Sequence, residues 1–235
     1  MKLEQTLKLI IPVIAIFSIG APGILTAQSE EGHYLVIVGA PKSGKSHNSE
    51  WMSKAYDIPW INVGDALQAE VEKESKKHRY SASTQHKRGA SSARRSQRNR
   101  EAYEKLKNGE LVSNDSLNAI VAAKVLSGDA GAGFILDGYP MTVEQAEFLD
   151  SILEARGISP LKVIYLKVSD EESIKRMKAS GKDKYKGGVG EDRLRIFRSM
   201  IGPIVDYYGE DTLFEIDAAR DNSAISADIV SVMEK

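Results

Sequence analysis

YLVIVGAPKSGKS, Tyr34 to Ser46, decides the fold. Its opening run, Tyr34 to Val38, is continuously apolar and rich in β-branched residues, the pattern of a strand buried on both faces. The run passes directly into Gly39-Ala-Pro-Lys-Ser-Gly-Lys-Ser46, a G-x-x-x-x-G-K-S signature placed between a strand and an expected helix. Backbone N–H groups of such a turn converge, with those of the helix start, on an anion. Gly39, Pro41, Ser43, Gly44, Lys45, Ser46 and His47 are the residues expected to cradle the β- and γ-phosphates of ATP. Lys45 would bring positive charge to the transferring phosphoryl group, and the Ser46 hydroxyl would hold Mg2+.

Working outward, further apolar runs at Trp60 to Val63, Phe134 to Leu136, Val163 to Leu166 and Leu213 to Ile216 alternate with segments of helical period. Leu194, Phe197, Ile201, Val205 and Tyr208 share one helical face; Leu117, Ile120, Val121 and Val125 share another; Ile225, Ile229 and Val232 or Met233 a third. Strands alternating with helices predict an α/β domain with a parallel sheet covered on both sides. Asp137 closes the Phe134 to Leu136 run, where a carboxylate would fix the metal through water. The same position also suits a helix cap or a turn.

The chain has 235 residues, 42% hydrophobic and 28% charged, enough for one large domain or two small ones. A formal charge of -1 excludes a wholly basic nucleic-acid binder, and no sequence-specific nucleic-acid contact is expected. The absence of cysteine excludes thiol catalysis, thiolate metal sites and disulfide scaffolding, and His33, His47, His78 and His86 lack zinc-ligand spacing. The charge is nonetheless segregated: residues 76–100 (KKHRYSASTQHKRGASSARRSQRNR) carry nine Lys or Arg and no acid, leaving the rest at -10. With almost no large apolar side chain, this segment is expected to bury no core. It reads as a solvated insertion, as a collector of phosphates beside the site, or as a weak contact for nucleic acid or anionic lipid. Tyr80 alone could stack on a base, which argues against single-strand recognition.

Ahead of the domain, residues 1–27 have the layout of a signal peptide or membrane anchor. Nothing between Lys8 and Glu30 is charged, and Leu9 to Ile19 is nearly all apolar. That run is about half of the ~20 residues a spanning helix needs, and Gly20, Pro22 and Gly23 interrupt its continuation. Lys2 and Lys8 before it and Glu30 and Glu31 after it orient the remainder outward. If the leader is genuine the protein is exported, periplasmic or anchored facing outward; otherwise it is cytoplasmic.

Several blocks together resemble adenylate kinases, in the right order, over about residues 33 to 235. They are Gly39 to Ser46, Val63-Gly-Asp-Ala-Leu67, Gly109-Glu-Leu-Val112, Gly133-Phe-Ile-Leu-Asp-Gly-Tyr-Pro140 with Gln145-Ala-Glu147, Val163 to Val168 with Asp170-Glu171, Arg193-Leu194, and Pro203 to Tyr208. The resemblance implies a P-loop kinase domain over 28–235 with a five-stranded parallel sheet. It implies a nucleotide-monophosphate-binding flap at 62–112, containing the basic insertion, and a short lid at 177–190. A monomer with nucleotide substrates is expected. It further implies that Lys45 serves the phosphates, that Asp65 and Asp137 organise the waters of Mg2+, and that Gly64, Asp65, Gly138 and Gln145 contact the acceptor, Gln145 reading its base. Arg176 matches the first lid arginine, Arg193 the arginine that bridges the two phosphate groups, and Lys182 stands where the family has another arginine.

Two positions depart from that pattern. Gln68 stands in the place of the arginine of G-D-x-L-R, and Met141 replaces the arginine that follows G-Y-P. Both missing groups grip the acceptor phosphate, and neither Gln nor Met offers positive charge. A nucleoside monophosphate kinase with altered acceptor handling, a nucleotide-binding protein that has lost transfer, and a kinase for another small acceptor all remain open on this pattern. The leader generates its own test. Expressed in a bacterium, the mature chain is expected to begin near Gln28 and to partition outside the inner membrane, as N-terminal sequencing of fractionated cells would show; intact Met1 on cytoplasmic protein would refute export.

Overall fold

The computed structural model describes residues 32–84, 90–108, 110, 112–159, 161–182, 185 and 187–235, without the side chains of 77–84 and 129. The leader, the centre of the basic insertion, and positions 183, 184 and 186 of the expected lid lie outside the described residues. Among the described residues no helix is long and apolar enough to cross a membrane.

Five parallel strands form one sheet in the order β2-β3-β1-β4-β5. They are β1 (His33–Gly39), β2 (Trp60–Asn62), β3 (Gly133–Asp137), β4 (Leu161–Lys167) and β5 (Leu213–Asp217). Each expected strand is present, mostly a residue or two longer than its apolar run. Central β1 is paired on both sides, so Leu35, Val36 and Ile37 are fully buried, as are Phe134, Ile135 and Leu136 beside them. The chain leaves β1 toward β2 and β3 on one side and returns to β4 and β5 on the other. A crevice therefore opens at the carboxyl end of β1, the usual ligand position in open parallel sheets. In register, Ile37 pairs with Asp137 and Gly39 with Leu166, so the glycine-rich turn and the Asp137 carboxylate emerge at the same edge.

Helices α1 (Lys45–Tyr56), α2 (Val63–Thr84), α3 (Ala90–Asn108), α4 (Asn114–Val125), α5 (Val143–Glu154), α6 (Asp170–Ala179), α7 (Val189–Thr212) and α8 (Asn222–Met233) surround the sheet. The faces of α4 and α8 are buried as expected. On α7 the buried row is Leu194, Phe197, Ile204 and Tyr208; Ile201 and Val205 pack at its margin. Val63, expected to close β2, instead opens α2, because the Asn62 side chain accepts a hydrogen bond from the Asp65 N–H at 3.0 Å and caps the helix.

The basic stretch also departs from expectation. Residues 90–100 form the first half of α3, which packs on α2 and buries Ser96 and Asn99. Asn99 Nδ2 donates to Glu74 Oε1 at 3.3 Å across this pair of helices. Over residues 90–100 the buried groups are polar, which a search for apolar periodicity passes over. Arg94, Arg98 and Arg100 are left exposed, while Arg95 lies 3.9 Å from the Glu70 carboxylate.

At the start of β3, Gly133 has φ 137, and a Cβ there would stand 2.4 Å from the His33 carbonyl oxygen and 2.9 Å from its nitrogen. No side chain fits against the neighbouring strand. Gly133→Ala is expected to destabilise the domain by about 2 to 4 kcal/mol, read as a lower urea midpoint.

Candidate phosphate and metal site

The loop after β1 is shaped by its glycines. A Cβ on Gly39 would lie 2.5 Å from Ser43 Oγ and 2.7 Å from the Leu166 carbonyl, so only glycine lets the turn close against β4. Lys42 and Gly44 adopt φ 63 and 100, which tightens the turn before α1 begins at Lys45. The N–H of Ser43 donates to Ala40 O at 3.1 Å. The Lys45 ammonium folds back across the loop onto the carbonyls of Gly39 at 2.6 Å and Ala40 at 3.0 Å. From outside, α6 clasps the loop: Ser173 Oγ donates to Pro41 O at 2.6 Å, and Arg176 reaches Lys42 O at 3.5 Å and Ala218 O at 3.0 Å while pairing with Glu172 at 2.8 Å. Ser46 and His47 are exposed on the first turn of α1.

Asp137 lies beside this loop and is only 2% exposed. Its Oδ2 accepts from Asn62 Nδ2 at 2.9 Å and from Ser46 Oγ at 3.4 Å. The buried Trp60 Nε1 makes no hydrogen bond of good geometry, yet its N–H lies near enough to favour the charged carboxylate. Burial raises the Asp137 pKa from its ordinary value, and the Lys45 charge with the Asn62, Trp60 and Ser46 donors offsets only part of that rise. Asp65 is exposed in the first turn of α2, held through its backbone by Asn62. Among the described residues no three acidic or histidine side chains form a metal cage. A hydroxyl with one buried carboxylate fits Mg2+ well, because that ion is commonly shared between one or two carboxylates and substrate phosphates.

The remaining expected residues occupy three places. Gln145 is 1% exposed, with Oε1 accepting from the Met141 N–H at 2.7 Å and Nε2 donating to Asn114 Oδ1 at 2.8 Å. An amide has two donors and two acceptor sites, so one of each is left for a base. Gly138, at φ 85, is exposed directly after Asp137, and Gly64 lies in the first turn of α2. Lys182 is exposed after α6, where its charge lowers the pKa of Lys42, itself 5.7 Å from the Tyr185 ring; burial is the larger cause of that lowering. Arg193 has other hydrogen-bond partners: its Nη2 donates to the carbonyls of Leu106 at 2.7 Å and Lys107 at 3.0 Å, at the last turn of α3. Half-burial lowers its pKa, though a guanidinium remains charged.

Asn62, Ser173 and Asn114 were not singled out by the sequence. Asn62 had a readable signal, an Asn followed three residues later by Asp at the end of an apolar run, the pattern of a helix start. Ser173 and Arg176 are three apart on one helical face, which becomes informative only once α6 is known to lie against the loop.

The five-stranded parallel sheet, the glycine-rich loop after β1 and the helices around them make this an α/β domain of P-loop kinase fold. A family model described as adenylate kinase matches residues 82–213. An adenylate kinase of Mycolicibacterium vanbaalenii is 33% identical over 193 residues, 82% of this chain and 94% of that protein. Adenylate kinases of Mesorhizobium japonicum, 30% identical over 85% of the chain and 96% of the relative, and of Corynebacterium urealyticum, 27% identical over 86% and 99%, are similar along nearly their whole lengths. The chain belongs to the adenylate kinase family.

The buried carboxylate yields a paired expectation. With its pKa raised on folding, Asp137 favours the native state most at pH below the ordinary aspartate value, and that contribution is lost as pH rises through the folded-state value. Asp137→Asn is therefore expected to melt at a higher temperature than the parent at neutral pH without ligand, the advantage vanishing in acid, while ATP-dependent activity falls about a hundredfold or more. Thermal melts across pH and a coupled assay check the two arms; a neutral-pH loss of stability would mean that the Lys45 attraction outweighs burial.

Proposed function

We propose that the protein is a Mg2+-dependent phosphotransferase that moves the γ-phosphoryl group of ATP to a nucleoside monophosphate, with weakened grip on the acceptor phosphate. The observation that carries this reading is the convergence of Lys45, Ser46 and Asp137 at one end of the sheet. The loop N–H groups and Lys45 would hold the donor phosphates, Lys45 exchanging its two carbonyl partners for phosphate oxygens. Ser46 and Asp137 would hold Mg2+, which supplies charge neutralisation between the phosphates. Arg176 would close the donor side at Lys42, with Lys182 nearby. Gln145 would offer its remaining N–H and lone pair to the acceptor base, and Asp65 would order metal-bound water from the start of α2. Phosphoryl transfer depends mainly on positioning and charge, both of which these groups can provide.

Gln68 and Met141 support the weakened grip. The Gln68 side chain is exposed and bonded to Glu72 at 2.9 Å, and Met141 offers the site only its backbone N–H, which Gln145 takes. Charge-assisted hydrogen bonds are worth roughly 1.5 to 3 kcal/mol each, so losing two arginines slows transfer by orders of magnitude. A second reading, nucleotide binding without transfer, is favoured by Arg193, whose Nη2 serves the α3 carbonyls. The leader adds the proposal that the protein works outside the cytoplasm.

A coupled assay with ATP, Mg2+ and AMP separates the two readings. The parent is expected to show slow transfer that disappears in Lys45→Ala, and Gln68→Arg with Met141→Arg to raise it about tenfold or more, as ~1.4 kcal/mol of transition-state stabilisation gives. No transfer in either background, with ATP binding intact, would select the second reading.

A further inference from the structure

We propose that Asn62 is a positioning residue for the metal site, one amide that holds the Asp137 carboxylate with its NH2 group and the backbone of Asp65 with its oxygen. This rests on the reading of Ser46 and Asp137 as Mg2+ groups. Asn62 ends β2 directly opposite Asp137 in the parallel register, so the two side chains leave the same face of neighbouring strands. Its Nδ2 donates to Asp137 Oδ2 at 2.9 Å, and its Oδ1 accepts from the Asp65 N–H at 3.0 Å. The orientation of the amide is fixed by its partners, because an ionised carboxylate only accepts and a backbone N–H only donates. Reversing the amide would lose both bonds together.

Each half of the amide has its own task. The donor half pins one oxygen of Asp137, since Oδ2 takes both the Asn62 amide and the Ser46 hydroxyl, and so sets how the carboxylate is turned. The acceptor half caps α2 and thereby sets where its first turn, carrying Asp65, begins. The two acids expected to order the metal's waters come from separate elements, β3 and α2, and Asn62 is the side chain that touches both. Outer groups that orient ligands of this kind typically matter about 10- to 100-fold in metal affinity.

The two tasks separate by substitution. Glycine is tolerated nearly as well as asparagine at a helix N-cap but has no side chain to donate to a carboxylate, whereas alanine neither caps nor donates. In the full-length protein, binding of a fluorescent ATP analogue is followed as Mg2+ is titrated, alongside melting without ligand. Asn62→Gly is expected to melt below the parent, since Asp137 loses a donor, to bind the analogue equally in EDTA, and to need about tenfold more Mg2+ for half-maximal enhancement. Asn62→Ala is expected to show the same Mg2+ shift with a melting temperature lower still, the difference from Asn62→Gly reading the cap alone. If the Mg2+ requirement of Asn62→Gly equals the parent's, Asn62 is a helix cap only and the inference fails while the proposed function stands. A parent whose analogue binding is indifferent to Mg2+ overturns the metal reading and the inference with it.

Discussion

Keeping the Asp137 carboxylate out of water opposes folding, and much of the architecture around the site consists of what offsets that cost. A bare buried carboxylate would take up a proton; this one has Lys45 across the loop, Asn62 from the adjacent strand, and the Ser46 hydroxyl from the first turn of α1. Those donors come from two elements, α1 and β2, which must meet the end of β3 at one level. The parallel register supplies that alignment, since β1 finishes at Gly39 beside β3 finishing at Asp137, with β2 ending at Asn62 next to it. The net rise in pKa shows that compensation is incomplete without a ligand. Added positive charge would restore part of what burial removes, which is the physical ground for the proposal that this carboxylate helps to hold Mg2+.

The phosphate loop follows a related logic on its backbone. Its shape depends on a glycine that no other residue can replace beside Leu166, and on two residues of positive φ. The loop is also braced from outside by Ser173 and Arg176 of α6, which occupy the carbonyls of Pro41 and Lys42. Lys45 lies across the mouth on two carbonyl oxygens, which keeps its charge over the cradle.

What the sequence made legible was what rests on local pattern. The apolar runs predict all five strands, and the glycine signature with Asp137 places two parts of the site at strand ends before any coordinates are known. Less legible was whatever depends on polar pairing over distance. In its basic half α3 meets α2 through polar groups such as Asn99 on Glu74, and so a segment rich in Arg and Ser reads as solvent-exposed throughout. Asn62 reads as part of a strand because its neighbours are Ile61 and Val63, and only the position of Asp137 reveals what its amide does. Arg193 adds a contact that no local pattern encodes: its Nη2 caps α3 from 87 residues away in the chain.

The order of the strands also determines how the molecule meets copies of itself. An open sheet ends in two rows of unpaired backbone groups, each a template for adding a strand from another chain. Here one border is β2, only three residues long and followed at once by a capped helix, too brief to seed a ladder. The other border, β5, carries Glu215 in an ion pair with Lys167 at 2.8 Å, closes on Asp217, and has Lys235 standing over Phe214 at 5.0 Å. Charge at one margin and brevity at the other disfavour edge-to-edge polymerisation, a protection that a sheet with such an apolar centre requires while it folds.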